Sequence, residues 1–185
     1  MYDQTERELK ILVSEDVFHK MRQTISFEQP VTQTNIYYDD DQGTVRRLGA
    51  IRIRTIGEQH IFTFKIRKDS ITQTELEKPV DARRLEDIRD PEILQWLAEY
   101  HIPSGLKPFA SSTTTRYIHE FPLGELCLDR TQFGSHVDYE VEYEYKADHD
   151  GISFFNELLK PYGLHYTKNA PSKLARAVLY SKTYE

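Results

Sequence analysis

Apolar and polar residues alternate along most of this chain, and alternation with a period of two is the pattern of β-strands with one buried face. The alternation covers eight segments, at residues 5–13, 33–40, 46–56, 60–67, 71–78, 112–121, 124–132 and 137–146. Several are joined by short turns, such as Gly57-Glu58-Gln59, so neighbouring strands are expected to be antiparallel. Eight antiparallel strands favour a closed barrel or a pair of curved sheets.

Helical periodicity interrupts the strands. Ser14 is a suitable N-cap for one helix, and Asp90 followed by Pro91 is a strong start for another. The predicted helices lie near residues 14–25, 81–88, from 90 to before 103, 151–160 and 172–181. Strands and helices together predict the α+β class, in one domain over residues 1–185 with a helical insert at about 81–105.

Charged residues on the predicted strands are sorted by sign, and the opposite face of each strand is apolar. The faces Arg52/Arg54 and Lys65/Arg67 are purely cationic and Glu140/Glu142/Glu144 is purely anionic, while Glu6/Glu8/Lys10 places two carboxylates beside an ammonium. A solvated outer face explains any one of them, but like charges two residues apart repel and favour a counter-ligand. We therefore expect these faces to point inward, towards a metal-bound oligophosphate. The apolar faces would then form a core outside the barrel wall.

Composition narrows the functional classes. The chain has 185 residues, of which 38% are hydrophobic and 29% charged, and its net charge of -6 does not indicate a nucleic-acid partner. The single cysteine, Cys127, excludes a disulfide framework within the chain, and the seven histidines lack zinc-site spacing. No long apolar run and no signal-peptide pattern occur, so we expect a cytoplasmic protein without a membrane partner. The run Asp39-Asp40-Asp41 is expected to be a solvated turn, with a role at the mouth of the barrel as the alternative, and Trp96 and Tyr100 are expected to be helix core.

The charged residues resemble a known family. Glu6-x-Glu8-x-Lys10 looks like the opening motif of the CYTH domain proteins, also called triphosphate tunnel metalloenzymes. The resemblance continues in order along nearly the whole chain, through N-I-Y-Y-D-D at 35–40, I-R-I-R at 51–54, F-T-F-K at 62–65, Arg116, Asp129, Glu140 with Glu142, and P-S-K-L-A-R at 171–176. One departure is visible, because Thr114 and Ile118 stand where members of the family often carry a second lysine beside the matched arginine.

The resemblance implies an eight-stranded antiparallel tunnel with its charged side chains inside. It implies a phosphate clamp of cations at Lys10, Arg52, Arg54, Lys65, Arg116 and Lys173. It implies ligands for Mg²⁺ or Mn²⁺ at Glu6, Glu8, Glu140 and Glu142, with Asp129 as a further ligand or an orienting residue. Glu6, Glu8 and Lys10 are the candidate catalytic residues, and Arg67 has the parity to compensate for the missing lysine.

Several functions remain open within this resemblance. The family includes inorganic, thiamine and RNA triphosphatases and an adenylyl cyclase branch. The resemblance favours a triphosphate-containing small molecule as the partner, with inorganic tripolyphosphate ahead of a nucleoside or thiamine triphosphate. A polyphosphate-binding module without catalysis is an alternative, and a plain β-barrel with solvated charges would bind neither ion nor triphosphate. The protein is expected to be a monomer or a homodimer.

Overall fold

A closed barrel of eight antiparallel strands forms the centre of the structure, a computed structural model that describes residues 4–181. The strands are β1 (Thr5–Val13), β2 (Val31–Asp39), β3 (Gly49–Ile56), β4 (Gln59–Arg67), β5 (Thr72–Val80), β6 (Lys107–Phe121), β7 (Gly124–Phe133) and β8 (His136–Tyr145). Around the barrel they follow the order β1-β5-β4-β3-β2-β6-β7-β8, and β8 pairs back onto β1. The predicted eight-stranded antiparallel barrel is confirmed.

Helices cover the outside of this barrel. Within the described residues they are α1 (Glu15–Thr24), α2 (Thr44–Leu48), α3 (Pro91–Glu99), α4 (Gly151–Leu159) and α5 (Lys173–Ser181). The Ser14 hydroxyl accepts a hydrogen bond from the Val17 backbone N–H, and the Asp90 carboxylate accepts from two N–H groups of α3, so both predicted N-caps are confirmed. None of these helices has the length and apolar character needed to cross a bilayer.

The apolar core lies outside the barrel wall, in two clusters. In the first, the outward side chains of β3 and β4 pack with α3, and Phe62 stacks on Trp96 with ring centroids 6.3 Å apart. Tyr100 packs edge-on against Phe64, as expected for a residue of the helix core. In the second cluster, α1 and α4 cover the outward faces of β1, β7 and β8. Since the helices bury the apolar strand faces, the interior of the barrel is left to the polar faces.

Two predicted elements differ in extent. The helix expected at 81–88 is reduced to a single 3₁₀ turn at Leu85–Asp87. Strand β6 begins at Lys107 instead of 112, because residues 107–111 pair with the end of β2 across a register shift between Tyr37 and Tyr38. The shift leaves one extra residue on β6, as in a β-bulge, which accommodates Pro108 in the strand.

The solvated turn predicted at Asp39-Asp40-Asp41 is wrong for Asp39, which is 3% exposed. Its carboxylate accepts hydrogen bonds from the backbone N–H groups of Val45 and Arg46 and thereby organises the start of α2. Residues 46–48 are consequently helical, where the sequence pattern predicted the beginning of a strand. The hydrogen bonds that start α2 thus outweigh the strand-like alternation of apolar and polar residues at 46–48.

Truncation of the outer core should unfold the barrel more readily than truncation of the surface. Phe62 is fully buried against α3, so Phe62→Ala is expected to lower the free energy of unfolding by about 3–5 kcal/mol. Leu94 lies on the same helix and is 46% exposed, so Leu94→Ala should cost about 0.5 kcal/mol or less. Urea denaturation followed by circular dichroism measures both, and equal losses would contradict a core placed outside the wall.

Candidate active site

The inward side chains of the strands line one cavity of about 860 Å³. Nine of the eleven predicted site residues lie on its wall: Glu6, Glu8, Lys10, Arg52, Arg54, Lys65, Arg116, Glu142 and Lys173. The other two, Asp129 and Glu140, are fully buried behind the wall and contact Lys173. The structure therefore brings all eleven side chains into one region of the barrel.

The inward side chains of β1 are Glu6, Glu8 and Lys10, two carboxylates followed by an ammonium, and they pair within the strand and with side chains of other strands. Lys10 Nζ lies 3.0 Å from Glu8 Oε1 and 3.6 Å from Glu142 Oε1 on β8. Burial disfavours the ammonium, but these carboxylates outweigh burial and raise the pKa of Lys10. Further along, Lys65 Nζ lies 3.2 Å from Glu6 Oε2 and 3.4 Å from Glu75 Oε2. Each lysine is thus held between two carboxylates.

Three carboxylates meet around Lys173, the first residue of α5. Oxygen atoms of Asp129, Glu140 and Glu142 all lie within 4.8 Å of one another. Lys173 Nζ lies 2.7 Å from Asp129 Oδ2 and 2.8 Å from Glu142 Oε1, and it also contacts Glu140. Burial raises the pKa of Glu140 to about 7 although Lys173 opposes the shift, whereas Lys173, Lys10 and Arg116 hold the pKa of Glu142 low against burial.

This group of carboxylates fits a divalent cation. Three buried carboxylates repel one another when all are charged, and here the Lys173 ammonium stands where a cation relieves the repulsion. Their oxygen atoms are the donors that Mg²⁺ and Mn²⁺ prefer. Asp129 differs from the other two, because both of its oxygens accept hydrogen bonds from Arg116, at 2.9 and 2.7 Å. That geometry favours an orienting role for Asp129 over a ligand role.

Arg52 and Arg54 have no carboxylate at ion-pair distance among residues 4–181. Arg54 Nε donates to the neutral Asn35 Oδ1 at 2.8 Å, and the buried Nε of Arg52 has no hydrogen-bond partner in that range. Burial, then the charges of Arg52 and Arg116, lower the pKa of Arg54 to about 9, so the guanidinium stays protonated at neutral pH. Two adjacent guanidinium groups without ion-pair partners in the described chain suit the binding of an anion.

Two sets of inward residues were missed in the sequence. On β5, Gln73, Glu75 and Glu77 line the cavity, and the predicted strand at 71–78 already carried their alternation around the buried Leu76. On α5, Arg176 is 2% exposed and its Nη1 lies 2.8 Å from Glu140 Oε2. It stands three residues after Lys173 on a predicted helix, a spacing that places both side chains on one face.

Neutral side chains surround position 114, one of the two positions where members of the family often carry a lysine. Thr114 is fully buried and its hydroxyl lies 2.9 Å from that of Thr131, so an uncharged pair occupies the place of the missing lysine. Arg67, the residue expected to compensate, lines the cavity and is exposed at its edge. Lys173, expected in the phosphate clamp, lines the cavity and is paired with the carboxylates of Asp129 and Glu142.

Comparison with known proteins matches these features to one family. The model of the CYTH domain family matches residues 4–177. The chain belongs to the CYTH domain family. Its relative in Bacillus subtilis (strain 168), provisionally named triphosphatase YjbK, is 24% identical over 91% of this chain and 93% of its own length.

Solved structures share the CYTH fold. A Bacillus halodurans protein, provisionally described as an adenylate cyclase, is 25% identical, has a TM-score of 0.79 and covers 94% of this chain and 98% of its own. A Hippeastrum protein, first described as an adenylyl cyclase and reported to have dominant triphosphatase activity, is 19% identical with a TM-score of 0.73, over 97% of this chain and 96% of its own. The names of these CYTH proteins point to substrates of the triphosphate type.

Removal of Arg54 should weaken ligand binding and raise the stability of the protein without ligand. Because burial and neighbouring cations disfavour its charge, Arg54→Met is expected to raise the melting temperature of the ligand-free protein. The wild type should gain about 2.7 kcal/mol when tripolyphosphate is present at 100 times its dissociation constant, and the variant should gain far less at that concentration. Differential scanning fluorimetry with and without tripolyphosphate tests both effects. A variant stabilised by tripolyphosphate as strongly as the wild type would contradict the anion site.

Metal binding should strengthen as the pH rises through 7. The raised pKa of Glu140 means that its carboxyl is mostly protonated below pH 7 and must lose that proton before it can act as a ligand. Below this pKa the Mn²⁺ affinity is expected to fall by up to about tenfold per pH unit. Calorimetry in buffers of different ionisation enthalpy measures affinity and proton release together. Glu140→Gln should lose the proton release, and a pH-independent affinity in the wild type would contradict the assignment.

Proposed function

We propose that this CYTH protein is a divalent-metal-dependent triphosphatase that hydrolyses inorganic tripolyphosphate inside its tunnel. The observation that carries the proposal is the pair Arg52 and Arg54, which have no carboxylate partner in the described chain and share a cavity with the carboxylates of β1 and β8. Such a cavity suits an anion on one side and a cation that accompanies it on the other.

The cations of the tunnel bind and align the phosphate chain in this proposal. Arginine forks match the non-bridging oxygens of phosphate, whereas lysines act as point charges. Arg52 and Arg54 bind first because their charges are unpaired. Arg116 is held rigid by Asp129, so its remaining donors are pre-oriented towards the cavity. The proposed clamp is completed by Lys10, Lys65 and Lys173.

The carboxylates of β1 and β8 hold the cation and the attacking water. Glu6, Glu8, Glu140 and Glu142 are the proposed ligand set. A bound Mg²⁺ or Mn²⁺ would supply charge neutralisation and Lewis-acid activation of water. Glu8 is the proposed base: it takes one proton of the water as the water oxygen bonds to the terminal phosphorus, the bridging phosphorus–oxygen bond to that phosphorus breaks, and pyrophosphate leaves. Lys10, 3.0 Å from Glu8, keeps that carboxylate oriented.

The lining of the cavity supports an inorganic substrate. Tyr37 is the sole aromatic residue among the described residues that line it, and the remaining wall is dominated by charged and small polar side chains. A thiazole or nucleobase is usually recognised by apolar and aromatic contacts together with a few hydrogen bonds. Tripolyphosphate needs none of these contacts, so it is the substrate that this wall suits best.

A substrate panel tests the proposal. Phosphate release is measured from tripolyphosphate, thiamine triphosphate, ATP and long-chain polyphosphate, each with Mg²⁺ and with Mn²⁺. The expected result is the highest kcat/KM for tripolyphosphate and no release without metal. Cyclic AMP with pyrophosphate from ATP would instead identify a cyclase. Micromolar binding without turnover of any substrate would identify a binding module.

Loss of the proposed metal ligands should abolish turnover. Glu6→Ala and Glu142→Ala are each expected to lower metal-dependent phosphate release at least about 100-fold, because the charge that holds the cation is lost. Glu6→Gln and Glu142→Gln keep the size of the side chain and should lose activity to a similar degree while retaining the fold. Glu58→Ala, in the exposed turn between β3 and β4, is the matched control and should keep wild-type activity. Full activity in the Glu6 and Glu142 variants would refute the metal-site assignment.

A further inference from the structure

Arg46 lies outside the residues that match the family pattern, yet it lines the same cavity as Arg52 and Arg54. It belongs to α2, at the end of the tunnel where β3 begins and β2 ends. Its Nε donates to Asp39 Oδ2 at 2.8 Å, and its guanidinium lies 4.7 Å from the centre of the Phe109 ring. The side chain is 40% exposed although its carboxylate partner is buried.

Asp39 holds the Arg46 guanidinium in place but accepts a hydrogen bond from only one of its nitrogen atoms, Nε. The Asp39 carboxylate also accepts hydrogen bonds from the backbone N–H groups of Asp40, Val45 and Arg46, so several donors share its charge. Arg46 uses only Nε for Asp39, and its two Nη groups donate to no residue between 4 and 181. An arginine held by one edge with its other donors open to a cavity is pre-organised to bind an anion.

The three arginines form a ladder along one wall of the tunnel. Arg54 lies opposite Asn35, and Arg52 lies opposite Tyr37, two residues farther along β2. Asp39 follows two residues after Tyr37 and holds Arg46. Two residues of a strand span about 7 Å, so the wall presents a guanidinium at each of three successive levels. We call Arg54, Arg52 and Arg46 the arginine ladder.

The opposite end of the barrel carries the opposite charge. Glu125 pairs across strands with Glu120 on one side and Glu144 on the other. Lys146, 3.2 Å from Glu144, is the neighbouring cation. Carboxylates gathered at this end disfavour the approach of an anion. At the Arg46 end, the carboxylate of Asp69 also lines the cavity, but it accepts hydrogen bonds from the backbone N–H groups of Ile71 and Thr72.

We propose that Arg46 is a specificity-determining residue, which binds a fourth phosphate group of a linear polyphosphate whose outer end leaves the tunnel beside α2. The inference rests on the proposed function and extends it, because Arg52 and Arg54 suffice for part of a triphosphate and the third level of the ladder lies about 7 Å farther out. A neutral group at this level would leave the Nη donors of Arg46 unpaired, whereas a phosphate accepts from both.

Two neighbouring arginines of α2 give a matched test. Arg46→Ala and Arg47→Ala remove the same charge from the same helix, and exposed Arg47 is not among the described residues that line the cavity. The dissociation constants of tetrapolyphosphate and tripolyphosphate are measured by calorimetry without metal, and KM values with Mn²⁺. Arg46→Ala is expected to weaken tetrapolyphosphate binding about tenfold, at least five times more than it weakens tripolyphosphate binding. Arg47→Ala should change neither constant more than twofold.

Arg46→Lys separates charge from positioning, because lysine keeps the charge but cannot bind Asp39 and a phosphate through one planar fork. Arg46→Lys should lose part of the preference for tetrapolyphosphate. The melting temperatures of both Arg46 variants are measured, so that a folding defect is not mistaken for a loss of binding. Equal losses for both chain lengths, or equal effects of Arg46→Ala and Arg47→Ala, would overturn the inference. A loss for ATP as large as that for tetrapolyphosphate would overturn the assignment to a fourth phosphate. If the wild type hydrolyses neither chain, the proposed triphosphatase fails, while calorimetric binding still decides the role of Arg46.

Discussion

Mutual neutralisation of buried charges is the interaction on which this structure depends. Closing the sheet turns one face of every strand inward, and the outer helices already use the apolar faces, so the charged faces have to coexist inside. They do so through chains of ion pairs in which one ammonium serves several carboxylates, as Lys173 does for Asp129 and Glu142. Removing one partner from such a chain leaves a buried charge without compensation, which costs more than the pair itself contributes.

The same constraint distinguishes cations that carboxylates already neutralise from cations that they do not. Lys10 and Lys65 are each held between two carboxylates, so much of their charge is balanced within the fold. Arg52 and Arg54 have no such partner among the described residues, and the lowered pKa of Arg54 reflects first its burial and then the charges of Arg52 and Arg116. A protein that retains such a pair is less stable without its ligand than it could be, which is the usual trade between stability and binding. An anion bound there would therefore complete the charge balance of this part of the barrel.

Strand parity in the sequence predicted much of this arrangement. The alternation of Ile51 and Ile53 with Arg52 and Arg54 assigns each residue to a face, because the period of a strand is two. The resemblance to a family then supplied roles that parity cannot, and the closed barrel agrees with it. Glu75 was not among the predicted site residues, because a strand with a single buried leucine, Leu76, carries a weak alternation signal.

What the sequence could not show are contacts between distant segments. Nothing in the acidic run at 39–41 reveals that Asp39 caps α2, because that role requires the chain to turn back by six residues and bury one carboxylate. The consequence reaches the tunnel, since the carboxylate that starts α2 also holds the Arg46 guanidinium at the end of the cavity. The Asp39 side chain thus fixes the start of α2 and the position of the Arg46 guanidinium at this end of the tunnel. The carboxylates of Glu125 and Glu144 lie towards the other end. A tunnel with unlike ends gives an elongated anion a preferred direction, with its outer end beside α2.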